Sequence, residues 1–544
     1  MIRRWSGWIA LLVAIVALTL WVTARPVNEA RSRPTLPRNA DPASRGAAAF
    51  LGAGFGGISV EAMQSNAVPW RLVAAALLME EQRRDPKAKL DQATLRRILQ
   101  RFGFLYPDRV ANLPKGVMLH ANDMPLGMTW GDIAPIGGSH VQIANLGCAA
   151  CHAGVSYDAD GQPVPRIALL GMPNSSLDLE AYTDAVYQAL RRHADSPALL
   201  EAVKHLFPDM GWREEASLRW IILPLSRHRL ATLVPMGRAT PFHNGAPGST
   251  NGVAALKRAL SVPLVGGGAG DTGVVSIPDL GQRFRRTSLL VDGAYRIAER
   301  PDRPTHGEEL DARHLNGLAA ITSFFTVPSM GVHPDDARAA IDDARDIFAF
   351  LKDYQAQPFP GPINRTAARH GATIYAQQCA ACHGDYGWTG AQPVLQRFPN
   401  WIGQVGTDRL RADVFDEPLA KAIGKTRYRG LIAVQPGRGY AAPPLAGLWA
   451  SAPYLHNGSV PTLAALLSPA ERPRRFMVGG HALDWDRLGL RLTPDGRYPA
   501  GYVPFSQPQW IDTDETGRGR NGHLQGTTLS VADKRALIEF LKLL

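Results

Sequence analysis

Apolar and charged residues recur along most of this chain at helical rather than strand spacing. Between residue 46 and about 112, Leu72, Ala75, Ala76 and Met79 form one stripe while Glu80, Glu81, Arg83 and Arg84 face elsewhere, which predicts a helical lead-in. A helix is expected over 177–192, and another over 334–354 with Ile341, Ala344, Phe348 and Leu351 on one face. The second must stop at Gln357-Pro358-Phe359-Pro360-Gly361-Pro362, because proline removes a backbone donor and clashes with the preceding turn. An amphipathic helix should begin near residue 364. Ser530-Val531-Ala532-Asp533 then reads as the capped start of a last helix with the stripe Leu537, Phe540, Leu541 and Leu544. β-Branched alternation is scarce, so the fold is expected to be mainly α.

The N-terminus has a different pattern. Met1-Ile2-Arg3-Arg4 is followed by no charge until Arg25, and residues 8–24 are strongly apolar with a small-residue end, Val22-Thr23-Ala24. Residues 1–24 are therefore expected to be a signal peptide or a membrane anchor, either of which exports everything after Ala24. Residues 25–44 are rich in Pro and Arg and read as a tether.

Length and charge narrow the picture. With 544 residues and 45% hydrophobic content the chain can build several cores, and 53 Gly and 42 Pro imply long irregular loops around the helices. A net charge of +11 favours acidic redox partners or anionic lipid. Nucleic acid is not expected as a partner, because no basic block is interleaved with aromatics.

The four cysteines lie in one motif written twice: Cys148-Ala149-Ala150-Cys151-His152 and Cys379-Ala380-Ala381-Cys382-His383. Two thiols three positions apart can each add to a vinyl group of one porphyrin, and the following histidine then ligates the iron. A redox dithiol needs no following His, and a four-sulfur zinc site would bring both pairs together. With 15 His in the chain, chance places one after both pairs only about once in a thousand such sequences. Two covalent c-type haems are expected, with Cys148, Cys151, Cys379 and Cys382 as attachment points and His152 and His383 as proximal ligands. The expected layout is an N-terminal haem domain over 45–356, with its helical lead-in, and a C-terminal cytochrome c domain over 364–544. Export agrees with this, because such haems are installed outside the bacterial inner membrane. The location expected is periplasmic, with residues 8–24 as the means of any inner-membrane attachment.

The sixth ligand decides what each haem does, since a second strong ligand makes an electron carrier and an open position admits an oxidant. For the C-terminal haem the first candidate is His523, after the loop Gly517-Arg518-Gly519-Arg520-Asn521-Gly522, which glycine should leave flexible. His456 and Met477 are weaker candidates. For the N-terminal haem, His120, His140, Met172 and His243 lie within reach, and an open site is an equal alternative. Pro241-Phe242-His243-Asn244-Gly245 and Pro453-Tyr454-Leu455-His456-Asn457-Gly458 follow the two motifs as a faint repeat.

The stretch 443–479, with Asn521-Gly522-His523 and the closing 529–537, resembles the di-haem cytochrome c peroxidase superfamily. Within it the resemblance is nearest to the branch with the rubber oxygenases and the di-haem fatty-acid dioxygenases. The N-terminal half matches more loosely, through Asn145-Leu146-Gly147-Cys148 to His152 and Leu170-Gly171-Met172-Pro173. The resemblance implies a helical, periplasmic, two-domain oxidoreductase: His523 would be the distal ligand of an electron-storing haem, and the N-terminal haem would meet dioxygen or peroxide. The chain departs from that branch at Leu289-Leu290-Val291-Asp292-Gly293, where branch members carry an aromatic and a His before Asp-Gly. The expected function is an exported di-haem oxidoreductase of the peroxidase or oxygenase type acting on a small oxidant, served by a periplasmic redox partner. The alternative is a non-catalytic electron-transfer cytochrome with both haems six-coordinate.

Overall fold

Strands that are buried on both faces carry no alternating pattern, and here they change the fold class. The computed structural model describes residues 29–30, 32, 34–53, 68–119, 123–135, 139–232, 243–264, 273–298, 303–306, 311–329, 333–437 and 439–544. The described residues are 40% helix and 17% strand, so the fold is mixed α/β rather than mainly α. Met128–Ile133 pairs antiparallel with Val141–Leu146 immediately before the first motif, and Ala153–Tyr157 pairs with Pro163–Leu170 immediately after it. Ala153–Tyr157 is buried at every position, which hides its period of two. Asp385–Thr389 and Gln392–Phe398 make a hairpin directly after the second motif.

The expected helices are present with small shifts of boundary. Leu179–His193 is capped by Asp178 and Arg365–Gln378 by Asn364, each side-chain oxygen accepting from a first-turn N–H. Ser530 caps Val531–Leu541 in the same way. The 334–354 segment is a short 3-10 turn, Asp336–Ala340, leading into Ile341–Asp353. The lead-in helix Trp70–Arg84 differs from its expected stripe: residues 70 and 72–78 are all buried. Its Glu80 is buried too, bonded by Arg192 and His193 of a neighbouring helix. Core position, not amphipathicity, defines this helix.

The segment 1–24 lies outside the described residues, and no helix among those described is long and apolar enough to cross a membrane. Within 25–44, Glu29–Ala30 pairs with Gly131 and Asp132, and Asp41 caps the helix Pro42–Ala48. Three apolar clusters make the interior. One joins Phe50, Tyr295, Phe324 and Phe348 to Phe415, Leu419 and Tyr428, so its packing crosses the proline-rich stretch at 358–362. Another joins Leu105, Val155 and Tyr157 to Tyr375, Trp449, Phe476 and Phe540. The third is built on Trp70–Arg84 with the helices that follow.

Candidate functional site

Each CAACH motif forms one helical turn whose exit is fixed by backbone bonds. The first, Cys148–Cys151, begins after Gly147, and Gly127 lies so close to Ala149 and Ala150 that any Cβ would overlap their backbone. Asn174 secures the turn: its N–H donates to the Cys151 carbonyl at 2.8 Å, and its side-chain amide donates to the Ala150 carbonyl at 3.1 Å. The second motif follows the helix Arg365–Gln378, and its last four residues form the turn Ala380–His383. Gly384 at φ +99° turns the chain into the hairpin, and the Tyr375 hydroxyl donates to its carbonyl.

The two histidines are held alike. His152 Nδ1 lies 3.1 Å from the Pro278 carbonyl oxygen, and His383 Nδ1 lies 2.9 Å from the Pro443 carbonyl oxygen. A carbonyl can only accept, so Nδ1 carries the proton and the Nε2 lone pair is left for a metal. Burial brings both imidazoles down to about 4, which keeps them neutral as ligands must be. Both keep partial exposure although desolvation dominates their titration. Burial likewise raises Cys148, and raises Cys151 and Cys379 to about 12. These are neutral thiols, unlike activated thiolates. Among the described residues no three His, Cys, Asp or Glu side chains converge, which leaves a zinc ion shared by both pairs without a donor set.

His523 is brought to His383. Their ring centres are 6.2 Å apart with 48° between planes. Two imidazoles on one metal, each about 2 Å from it through a ring nitrogen, have centres roughly 6 Å apart. The loop that carries His523 is pinned, contrary to the flexibility its glycines predict. Arg472 donates to the carbonyls of Arg520 and Gly522 at 2.7 and 2.8 Å, and the Asn457 amide donates to those of Gly517 and Gly519. His523 itself sits at φ +48°, a left-handed conformation that a non-glycine residue keeps only when its surroundings impose it. Its Nδ1 is buried without a hydrogen-bond partner among the described residues, and burial lowers its pKa.

The weaker candidates lie elsewhere. The His456 ring stacks on Tyr440 at 4.0 Å, and Met477 is in the strand Arg475–Val478 opposite Trp510. On the N-terminal side, His140 pairs with Asp132, His243 pairs with Glu180, and Met172 is buried in a core cluster. His120 lies outside the described residues. No imidazole is paired with His152 in the way His523 is paired with His383 among the described residues.

Residue reading did not single out Pro278, Pro443, Asn174 and Arg472. The prolines had a visible signal, since Pro278-Asp279-Leu280-Gly281 and Pro443-Pro444-Leu445-Ala446-Gly447 are a second faint repeat. These two loops touch: the Tyr354 hydroxyl donates to Asp279 Oδ2 at 3.0 Å, and a Cβ on Gly447 would overlap the same carboxylate. Tyr386 accepts from the Leu445 N–H at 3.1 Å.

Comparison with known families agrees with this geometry over the C-terminal part. Residues 366–427, which include the second motif, match the family model for cytochrome c oxidase, cbb3-type, subunit III. Residues 439–477, which include Pro443, match the model described as RoxA-like, cytochrome c-like. The C-terminal part of the chain is cytochrome c-like. Cytochrome c-like segments imply covalently bound c-type haem, and the second motif and its paired histidines fit that group. The chain is also 30% identical over 246 residues to the uncharacterized protein y4iJ of Sinorhizobium fredii, covering 34% of this chain and 40% of that one. It is 29% identical over 204 residues to the uncharacterized protein y4iM of the same organism, covering 32% and 44%. The chain thus spans less than half the length of the curated relatives it matches.

Proposed function

We propose that this protein is an exported di-haem c-type cytochrome acting as an oxidoreductase, with one haem bound between two histidines and the other able to meet an oxidant. The observation that carries the reading is the asymmetry between the motifs: His383 has His523 across from it at 6.2 Å, whereas His152 has no such partner among the described residues. The residues that would hold the haems are Cys148, Cys151 and His152 at one site, and Cys379, Cys382, His383 and His523 at the other. Bound haem supplies one-electron and oxygen chemistry. The chain orients each proximal imidazole through a proline carbonyl, keeps it neutral by burial, and holds His523 in place through Arg472. Tyr354 bonds Asp279 of one proline loop and Tyr386 bonds Leu445 of the other, and a Cβ on Gly447 would overlap Asp279, a contact between the loops that supports electron exchange between the sites as part of the function. Net positive charge suits an acidic periplasmic redox partner.

Optical and EPR spectra of the purified protein test this. One low-spin haem and one high-spin haem that shifts with peroxide, cyanide or carbon monoxide are expected. Two low-spin haems that ignore all three would make the protein an electron-transfer cytochrome instead. His523→Ala should turn the low-spin haem high-spin, and an unchanged spectrum would remove His523 as a ligand.

A further inference from the structure

One helical run presents large apolar side chains to solvent. Trp212–Ser217, the π-helical turn Leu218–Ile222 and Leu223–Thr232 follow one another without a break. Glu214, Ser217, Leu218 and Leu223 make the inward side and are buried, the two leucines within the cluster built on Trp70–Arg84. On the outward side Trp212 and Trp220 are each 73% exposed and Leu225 is 61% exposed. Residues about two turns apart share one side of a helix, so the two indoles stand in line. A single exposed apolar residue needs no explanation, whereas two indoles and a leucine along one helix mark a contact surface.

Charge narrows the partner. Arg213, Arg219, Arg227 and Arg229 are exposed along the same run. The Arg213 guanidinium lies over the Trp212 ring at 5.2 Å, Arg219 pairs with Glu215 at 2.8 Å, and Arg227 pairs with Asp195 at 2.7 Å. Glu214 is turned inward to Arg71 at 3.1 Å and does not offset the outward arginines. Four arginines against Glu215 and Asp195 leave a net positive strip beside the indoles. Indoles at headgroup level, with leucine on the acyl side and arginine on anionic phosphate, are what a helix lying in a bilayer surface requires.

The place where the described chain begins favours a bilayer over another protein. Glu29–Ala30 pairs with Asp132 and Gly131, and Asp132 lines one cavity together with Trp212 and Arg213. The apolar segment 8–24 ends five residues before Glu29. An extended chain covers at most ~3.6 Å per residue, which holds Ala24 within roughly 18 Å of Glu29. A bilayer entered by that segment is therefore beside the exposed helix. We propose that the outward side of 212–231 docks on an anionic bilayer, with Trp212, Trp220 and Leu225 among the headgroups and the arginines on lipid phosphate. This rests on the anchor reading of residues 8–24 and is independent of the haems.

Thiol labelling of the full-length, haem-loaded protein in vesicles tests this. Leu225→Cys places a thiol on the docking face, Val503→Cys places one at an 85% exposed position outside the run, and the wild type sets the background. In vesicles of phosphatidylcholine with phosphatidylglycerol, a membrane-impermeant maleimide should label Leu225→Cys several-fold more slowly than Val503→Cys. In vesicles of phosphatidylcholine alone the two rates should converge. Equal rates in the anionic vesicles would overturn the proposal. Protection of Leu225→Cys that persists without anionic lipid and grows with the ratio of protein to lipid would also overturn it, by making the face a contact between copies of the chain. Extraction of the wild type with alkaline carbonate reports on residues 8–24 separately. Release into carbonate with Leu225→Cys still protected supports the helix contact and overturns the anchor reading alone, whereas retention with Leu225→Cys labelled as fast as Val503→Cys overturns this proposal alone.

Discussion

At the scale of single residues, burial governs the chemistry of the imidazoles. His152 and His383 are neutral because they are desolvated, and they present Nε2 because a proline carbonyl takes Nδ1. His481 is more fully buried but serves no motif; its ring stacks on Phe505 at 4.8 Å and its Nε2 has no partner among the described residues. Burial brings His481 down to about 4, below its ordinary 6.5, so the unfolded chain takes up a proton that the native one refuses. Stability from this site is complete above pH ~6.5 and is lost as pH falls toward 4. His481→Phe keeps the aromatic stack and removes the titration. It should flatten the fall of unfolding free energy between those pH values by roughly 3 kcal/mol, read by guanidinium unfolding at several pH values. An unchanged slope would show that His481 does not contribute to acid sensitivity.

At the scale of elements, the second motif depends on two helices that cross. Arg365–Gln378 leads into the motif and Val531–Leu541 packs over it, with Gly371 against the Ala536 carbonyl so closely that a Cβ would overlap it. The Tyr375 and Phe540 rings meet beside this crossing at 5.1 Å. Gly371→Ala should therefore force the helices apart and cost about 2 kcal/mol or more, despite alanine's better helix propensity. Thermal unfolding of the variant should show a clear drop, and so should haem attached at the second motif, measured by intact mass. Equal stability would mean that the helices adjust without loss. Both helices were readable from periodicity and caps, but their crossing point was not, because contact between Gly371 and Ala536 joins positions far apart in the chain.

Over the whole molecule, the parts before and after 358–362 share their interiors. Lys257, fully buried, pairs with Asp416 at 2.9 Å across that stretch, within reach of a cluster that also draws on both sides. Removing one member of such a pair leaves an uncompensated charge, though Asp416 is a quarter exposed and water limits the loss. Lys257→Met should cost about 2 kcal/mol and lower a single cooperative transition. Calorimetry that resolved two separate transitions, with only one shifted, would show that the halves unfold independently.

Cysteine count, motif spacing, helix caps and the proline stop at 358–362 were all legible in the linear chain, because each depends on residues within a few positions of one another. Attachment chemistry needs only that local pattern, and so does a capped amphipathic helix. Strands buried on both faces left no period to read, and the all-round burial of Trp70–Arg84 was hidden for the same reason. Which histidine stands across from His383, which carbonyls orient the proximal rings, and how Arg472 pins a loop of glycines depended on contacts between distant segments. The two motifs are identical in sequence. Their difference arises in the tertiary structure, where one faces His523 and the other, among the described residues, faces no second imidazole.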